Sequence, residues 1–214
     1  MPIVTKDDQT GKVTYAPLPS GKYDVIYADP PWDYRGREQF GFAGDVGVSS
    51  GGAIQQYETL TPVQLAALDV ASAAAADCVL FMWTTGPMMN DAMTVLQAWG
   101  FTYKTVAFVW HKQRVNPGYY TLSSCEYCLV ATQGRIPTPR GSRNERQFVS
   151  LPRGKHSAKP LEVRSRINRM FPTQSKLELF ARNVPAEQRW STWGNEVAEH
   201  RRPLPPLDAT FVVT

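Results

Sequence analysis

The twelve residues Lys22-Tyr23-Asp24-Val25-Ile26-Tyr27-Ala28-Asp29-Pro30-Pro31-Trp32-Asp33 constrain this chain more than any other stretch. The apolar run from Val25 to Ala28 reads as a buried strand, and it stops on an acid, two prolines and a tryptophan. Neither proline has an N–H to give to a sheet, and each holds φ near about −65°. The chain is therefore expected to leave the sheet in one stiff direction, with the Pro30 carbonyl open as an acceptor beside the Asp29 carboxylate. Two neighbouring acceptors suit an exocyclic amino group with two hydrogens to donate, and Trp32 adds a flat face for the ring carrying it. Adenine is such a ring. A solvated acid in a strand-ending turn is the competing reading of the same four residues.

The rest of the chain sets the frame. Its 214 residues suffice for one α/β domain with a full core, so a single domain over residues 1–214 is expected. No apolar run approaches the ~20 residues of a membrane span, and Met1 to Asp8 lacks the apolar segment of a secretory signal. A cytoplasmic location without membrane contact is the expectation. Cys125 and Cys128 form one Cys-x-x-Cys with no second pair and no suitably spaced histidines, so no metal is expected and both thiols read as core. The net charge of +4 leans mildly toward a polyanion, and its distribution says more. Arg135, Arg140, Arg143, Arg146, Arg153, Lys155 and Lys159 face Glu145 alone across residues 135–159, interleaved with proline and glycine. That pattern predicts an exposed arm gripping nucleic-acid phosphates, with a solvated loop as the alternative.

Residues 3–21 are expected to wrap the surface, and the glycines of 41–52 match no phosphate-binding fingerprint and read as a lid beside the site. Thr61-Pro62-Val63-Gln64 is a capping box that predicts a helix to about Ala75. The uniformly apolar Cys78 to Thr84 reads as a central strand covered on both faces. A helix from Pro87 to Gly100 should bury Met88, Ala92, Val95, Leu96 and Trp99. Thr102 to Trp110 and Glu126 to Thr132 read as strands joined by a loop over 111–120. A helix from Lys159-Pro160 to Pro172 should point Leu161, Val163, Ile167 and Met170 inward and Arg164, Arg166 and Arg169 outward. A strand near Ser175 to Arg182 follows, then Trp190 to Glu196. This order describes a mostly parallel α/β sheet with one reversed strand and helices on both faces, with ligands bound at the carboxyl ends of strands. Asp29, Thr84 and Arg182 fall at such ends.

Several separated blocks lie in one register: Ala28 to Trp32, Tyr57 to Leu60, Leu80 to Thr84, Glu126 to Val130, His156 to Pro160, Glu178 to Arg182 and Trp193 to Glu196. Together they resemble the S-adenosylmethionine-dependent N6-adenine methyltransferases named for the seventy-kilodalton subunit of the messenger-RNA enzyme. The resemblance implies a class I, Rossmann-like methyltransferase fold in permuted motif order. It implies that Asp29 and the Pro30 carbonyl hold the adenine amine, with Pro31 and Trp32 walling the base pocket. Lys159 would pair with the cofactor's carboxylate. Asp29, Glu178, Arg182, Asn195 and Glu196 would complete the cofactor site, Glu178 or Glu196 being suited to a cis-diol. After Arg182 the chain runs Asn183-Val184-Pro185 without the histidine of the eukaryotic enzymes, and Glu196 replaces their amide. The implied partner is DNA with its adenine flipped out or single-stranded, acted on by a monomer or homodimer. RNA methylation and an inactive nucleic-acid-binding subunit are the alternatives.

Overall fold

The structure, a computed structural model, describes residues 3–7, 9–10, 12–34, 59–116, 120–154, 158–181 and 190–194. The expected lid at 41–52 and the tail from His200 lie outside them. Strands β1 (Val4–Lys6) and β2 (Val13–Tyr15) form a small antiparallel hairpin. The main sheet takes β3 (Tyr23–Ala28), β4 (Ala74–Thr84), β5 (Thr102–Asn116), β6 (Ser123–Gln133), β7 (Phe148–Ser150), β8 (Lys176–Leu179) and β9 (Trp190–Trp193). Its order is β7-β5-β6-β4-β3-β8-β9. Among the described strands of this sheet only β6 runs against its neighbours, so the mostly parallel sheet with one reversed strand is as expected.

The two-residue period of β3 and β4 divides the core into two layers. Ile26, Ala28, Leu80 and Met82 pack with Leu65 of α1 (Pro62–Ala66) and with Ala92, Val95 and Leu96 of α2 (Met89–Ala98). Val25, Tyr27, Val79, Phe81 and Trp83 face the other way, toward Val163 and Ile167 of α3 (Leu161–Met170). The capping box forms as read, Thr61 Oγ1 accepting from the Gln64 N–H and Gln64 Oε1 from the Thr61 N–H. All five apolar residues expected inside the second helix are buried.

Four local expectations fail. The helix from Pro62 ends at Ala66 and not near Ala75, because Asp69 caps a second short turn at Ser72 and β4 already begins at Ala74. Residues 111–116 continue β5 instead of forming a loop. Leu161, the first helical residue after the Pro160 N-cap, is 69% exposed, and the buried face of α3 is set instead by Val163 and Ile167. Arg164 points inward, where it meets Glu178 at 2.8 Å.

The reversal of β6 decides which loops share an end. Pairing sets Thr84 opposite Tyr127 at one end of the sheet and Cys78 opposite Gln133 at the other. At that far end Gly134 turns the chain with φ +61°, and a Cβ there would lie 2.2 Å from the Ala76 carbonyl oxygen. The Arg135 N–H then donates to Asp77 at 2.8 Å. Gly141 and Ser142 hydrogen-bond to the last carbonyls of α3, and Arg140 stacks on Phe171 at 5.1 Å. Only with β7, which runs parallel to β5, does the arm climb back toward Asp29. The arm expected to be one exposed surface is thus split: Arg135, Arg140 and Arg143 belong to the far end, Arg146 lies between, and Arg153 follows β7 at the near end.

Candidate active site

Where β3 stops, the chain is locked before any ligand is considered. The Pro31 carbonyl accepts from the Leu60 N–H at 2.8 Å, and the Leu60 carbonyl from the Asp33 N–H at 3.0 Å. Trp32 is only 5% exposed, its indole N–H donating to the Trp83 carbonyl at 3.1 Å. In this conformation Trp32 is a core residue that anchors the turn, and its ring face is not displayed as the flat platform expected of it. The Pro30 carbonyl is likewise not wholly open, since it accepts from the Trp32 N–H at 2.9 Å. A carbonyl has two lone pairs, so one is left for a ligand.

Asp29 faces outward from this turn, and its Oδ1 meets the Lys159 ammonium at 2.6 Å. Lys159 precedes α3 and also contacts Glu126 of β6 at 3.3 Å, while its ammonium sits 5.7 Å from the Trp83 ring centre. The other oxygen of Glu126 takes Lys112 of β5 at 3.2 Å. Two acids and two lysines from four elements therefore alternate in a line at the carboxyl end of the sheet. Burial disfavours the charged form of Lys159, but Asp29 and Glu126 outweigh it and raise the ammonium pKa above its ordinary value. Burial would likewise raise Glu126, yet Lys159 and then Lys112 hold its carboxyl below the usual range. Glu126 and Lys159, at the middle of the line, are therefore both charged at neutral pH. Tyr34 closes one side, its hydroxyl 3.2 Å from Thr85 Oγ1 and its pKa raised chiefly by burial.

Residues 23–196 match the MT-A70 family. The chain belongs to the MT-A70 family. It is 50% identical over 198 residues to the Type II methyltransferase M.MunI of Mycoplasma sp, covering 88% of this chain and 83% of that protein. It is 30% identical over 187 residues to an MT-A70-like N(6)-adenosine-methyltransferase of Arabidopsis thaliana, covering 83% of this chain but 24% of the plant protein. The human N(6)-adenosine-methyltransferase catalytic subunit METTL3 is 28% identical over 187 residues, with 28% of its length covered.

Of the family positions read from the sequence, the fold brings Asp29, Pro30 and Lys159 together. Glu178 is apart from that line: it is 8% exposed on β8, and its carboxylate is held by Arg164 at 2.8 Å. Arg182, Asn195 and Glu196 lie outside the described residues. The chain reaches both segments through a tight crossing, where the Ala181 N–H donates to the Trp193 carbonyl at 3.0 Å. A Cβ on Gly194 would stand 1.9 Å from the Ala181 carbonyl oxygen, so only glycine lets these backbones touch. Sequence reasoning missed Glu126 and Lys112. Glu126 is the one charged residue of β6, a signal that asks for a buried partner, whereas Lys112 sits in the polar run His111 to Arg114 and carries no such signal. Among the described residues no group of acids, histidines and cysteines is arranged to hold a metal, and no helix is long and apolar enough to cross a membrane.

Proposed function

We propose that this chain transfers the methyl group of S-adenosylmethionine to the exocyclic amine of adenine in DNA. One observation carries the reading: at the end of β3, Asp29 is clasped by Lys159 at 2.6 Å beside the Pro30 carbonyl, in a member of the MT-A70 family. Likeness to a Type II methyltransferase over most of both chains supports DNA as the substrate, and likeness to N(6)-adenosine-methyltransferases supports the adenine amine.

Bound S-adenosylmethionine supplies an electrophilic methyl group on a sulfonium. The donor set fits that ligand: a cation raised above its ordinary pKa stands just ahead of α3, suited to a carboxylate. Lys159 would hold that carboxylate, with Arg182, Asn195, Glu196 and Glu178 proposed for the ribose and adenine. Lys159 engages Oδ1 of Asp29, so Oδ2 is the oxygen offered to the target amine. Asp29 and the second lone pair of the Pro30 carbonyl accept the amine's two hydrogens. Doing so draws the nitrogen lone pair out of ring conjugation and aims it. The carboxylate then stabilises the positive charge that develops on nitrogen, and the proton leaves afterwards. In a duplex the amine is stacked and paired, so the base must be flipped out at a cost of roughly a few kcal/mol. Of the basic arm, Arg153 is proposed to meet that strand, on the ground that it follows β7 at the near end of the sheet.

Asp29→Asn tests the assignment. It should abolish methyl transfer to DNA while cofactor affinity, read by calorimetry, stays within a few fold. Wild-type turnover by the variant would sink it.

A further inference from the structure

We propose that a cleft of about 400 Å3 beside this site seats a backbone phosphate of the DNA strand that presents the adenine. The proposal rests on the functional reading above and adds a second point of attachment to it. The cleft is lined by Lys112, Gln113 and Arg114 near the end of β5 and by Pro152, Arg153 and Gly154 after β7. Among the described residues that line it, three are cations and none is an acid, which suits an anion.

Its position is what ties it to the chemistry. Lys112 is 6% exposed, and its ammonium turns from the cleft wall to Glu126. Ion pairs of 3.2, 3.3 and 2.6 Å then run in series through Glu126 and Lys159 to Asp29. A strand whose base reaches Asp29 carries a phosphodiester on either side of it, and the cleft wall is joined to Asp29 through those three ion pairs.

The wall is built to separate its cations. In a regular strand Lys112 and Arg114 would share one face. Gln113 between them adopts φ +55°, a left-handed conformation that side chains rarely take, and the pairing of β5 with β6 slips between His111 and Asn116. Gln113 is held there by donating to Ser150 Oγ at 3.2 Å, the same oxygen that lies 3.2 Å from Nδ1 of His111. The result is one buried lysine committed to the active-site line and one exposed arginine, Arg114, which lines the cleft together with the exposed Arg153.

The test compares two variants of equal charge change in the full chain: Arg114→Gln with Arg153→Gln, and Arg135→Gln with Arg143→Gln at the far end. Binding of a fluorescein-labelled random-sequence duplex is followed by anisotropy across a salt titration, and cofactor affinity by calorimetry. For the cleft pair the log–log salt slope should fall by about 0.9 for each phosphate the protein no longer neutralises. Its affinity should then drop about threefold less than wild type between about 50 and 200 mM salt. The far pair should keep the wild-type slope, and both should bind cofactor within about twofold of wild type. Equal slopes in the two variants, or a cleft variant that loses cofactor affinity instead, would overturn the proposal. If Asp29→Asn is inactive and the cleft slope is unchanged, the phosphate site falls and the function stands. If Asp29→Asn remains active while the cleft slope falls, the phosphate site stands and the catalytic assignment fails.

Discussion

Lys159→Met removes the charge that joins Asp29 to Glu126 while keeping a hydrocarbon stem of similar length over Trp83. At 2.6 and 3.3 Å the two gross attractions are about 6 and 5 kcal/mol at an effective dielectric of about 20. Most of this is offset by desolvation. What the variant exposes is the cost of two carboxylates left facing each other, and breaking a buried pair costs ~3–5 kcal/mol. Because the Lys159 and Asp29 side chains are 14% and 22% exposed, the low end applies, about 3 kcal/mol. Denaturant unfolding at neutral pH measures it. The sign of the pH dependence is the sharper check. In the wild type Glu126 titrates below its ordinary value of 4.5, so its contribution is present above that pH and is lost as pH falls through the folded value. In the variant only Lys112 opposes burial, so less stability should be lost on acidification. If Lys159 holds the cofactor's carboxylate as proposed, cofactor affinity should also fall by roughly 1.5–3 kcal/mol, the value of a charge-assisted bond. A variant with wild-type acid sensitivity would refute the reasoning, since Lys112 alone would then be holding Glu126 charged.

Gly194→Ala should lower the melting temperature sharply, because its Cβ meets the Ala181 backbone at 1.9 Å and neither chain can yield; an unchanged melting curve would mean that the crossing relaxes freely. Trp32→Ala should cost about 3–5 kcal/mol of stability by denaturant unfolding, as expected for a buried tryptophan, so any loss of activity must be read beside that loss of fold. Arg164→Met should destabilise by about 3 kcal/mol, because it breaks the 2.8 Å ion pair to the buried Glu178, and the additional change Glu178→Leu should recover most of it; failure to recover would separate Glu178 from Arg164.

Local rules were enough to read β3 and its stop, the Thr61 capping box, the buried face of α2 and a lysine ahead of α3. Each depends on proline chemistry, cap geometry or the spacing of apolar residues within one element, and such signals are carried by neighbours in sequence. The family blocks added roles for Asp29, Pro30 and Lys159. No local signal shows that Lys159 would close on Asp29 at 2.6 Å, or that Glu126 and Lys112 would extend the line, because those partners come from four separate elements. The reversal of β6 makes that juxtaposition. Running antiparallel, it brings its first residues, with Glu126, to the carboxyl ends of its neighbours and carries Gln133 to the opposite end. The same reversal starts the basic arm on the far side, so one run of arginines in the sequence becomes two surfaces in space. Burial was also decided globally: Trp32 follows a stop that reads as an open site, yet pairing with Leu60 draws the turn inward and gives its indole the Trp83 carbonyl. A residue's neighbours in the chain set its conformation; which charge or ring it meets is set by the order and direction of strands, which hydrogen bonds across the whole sheet determine.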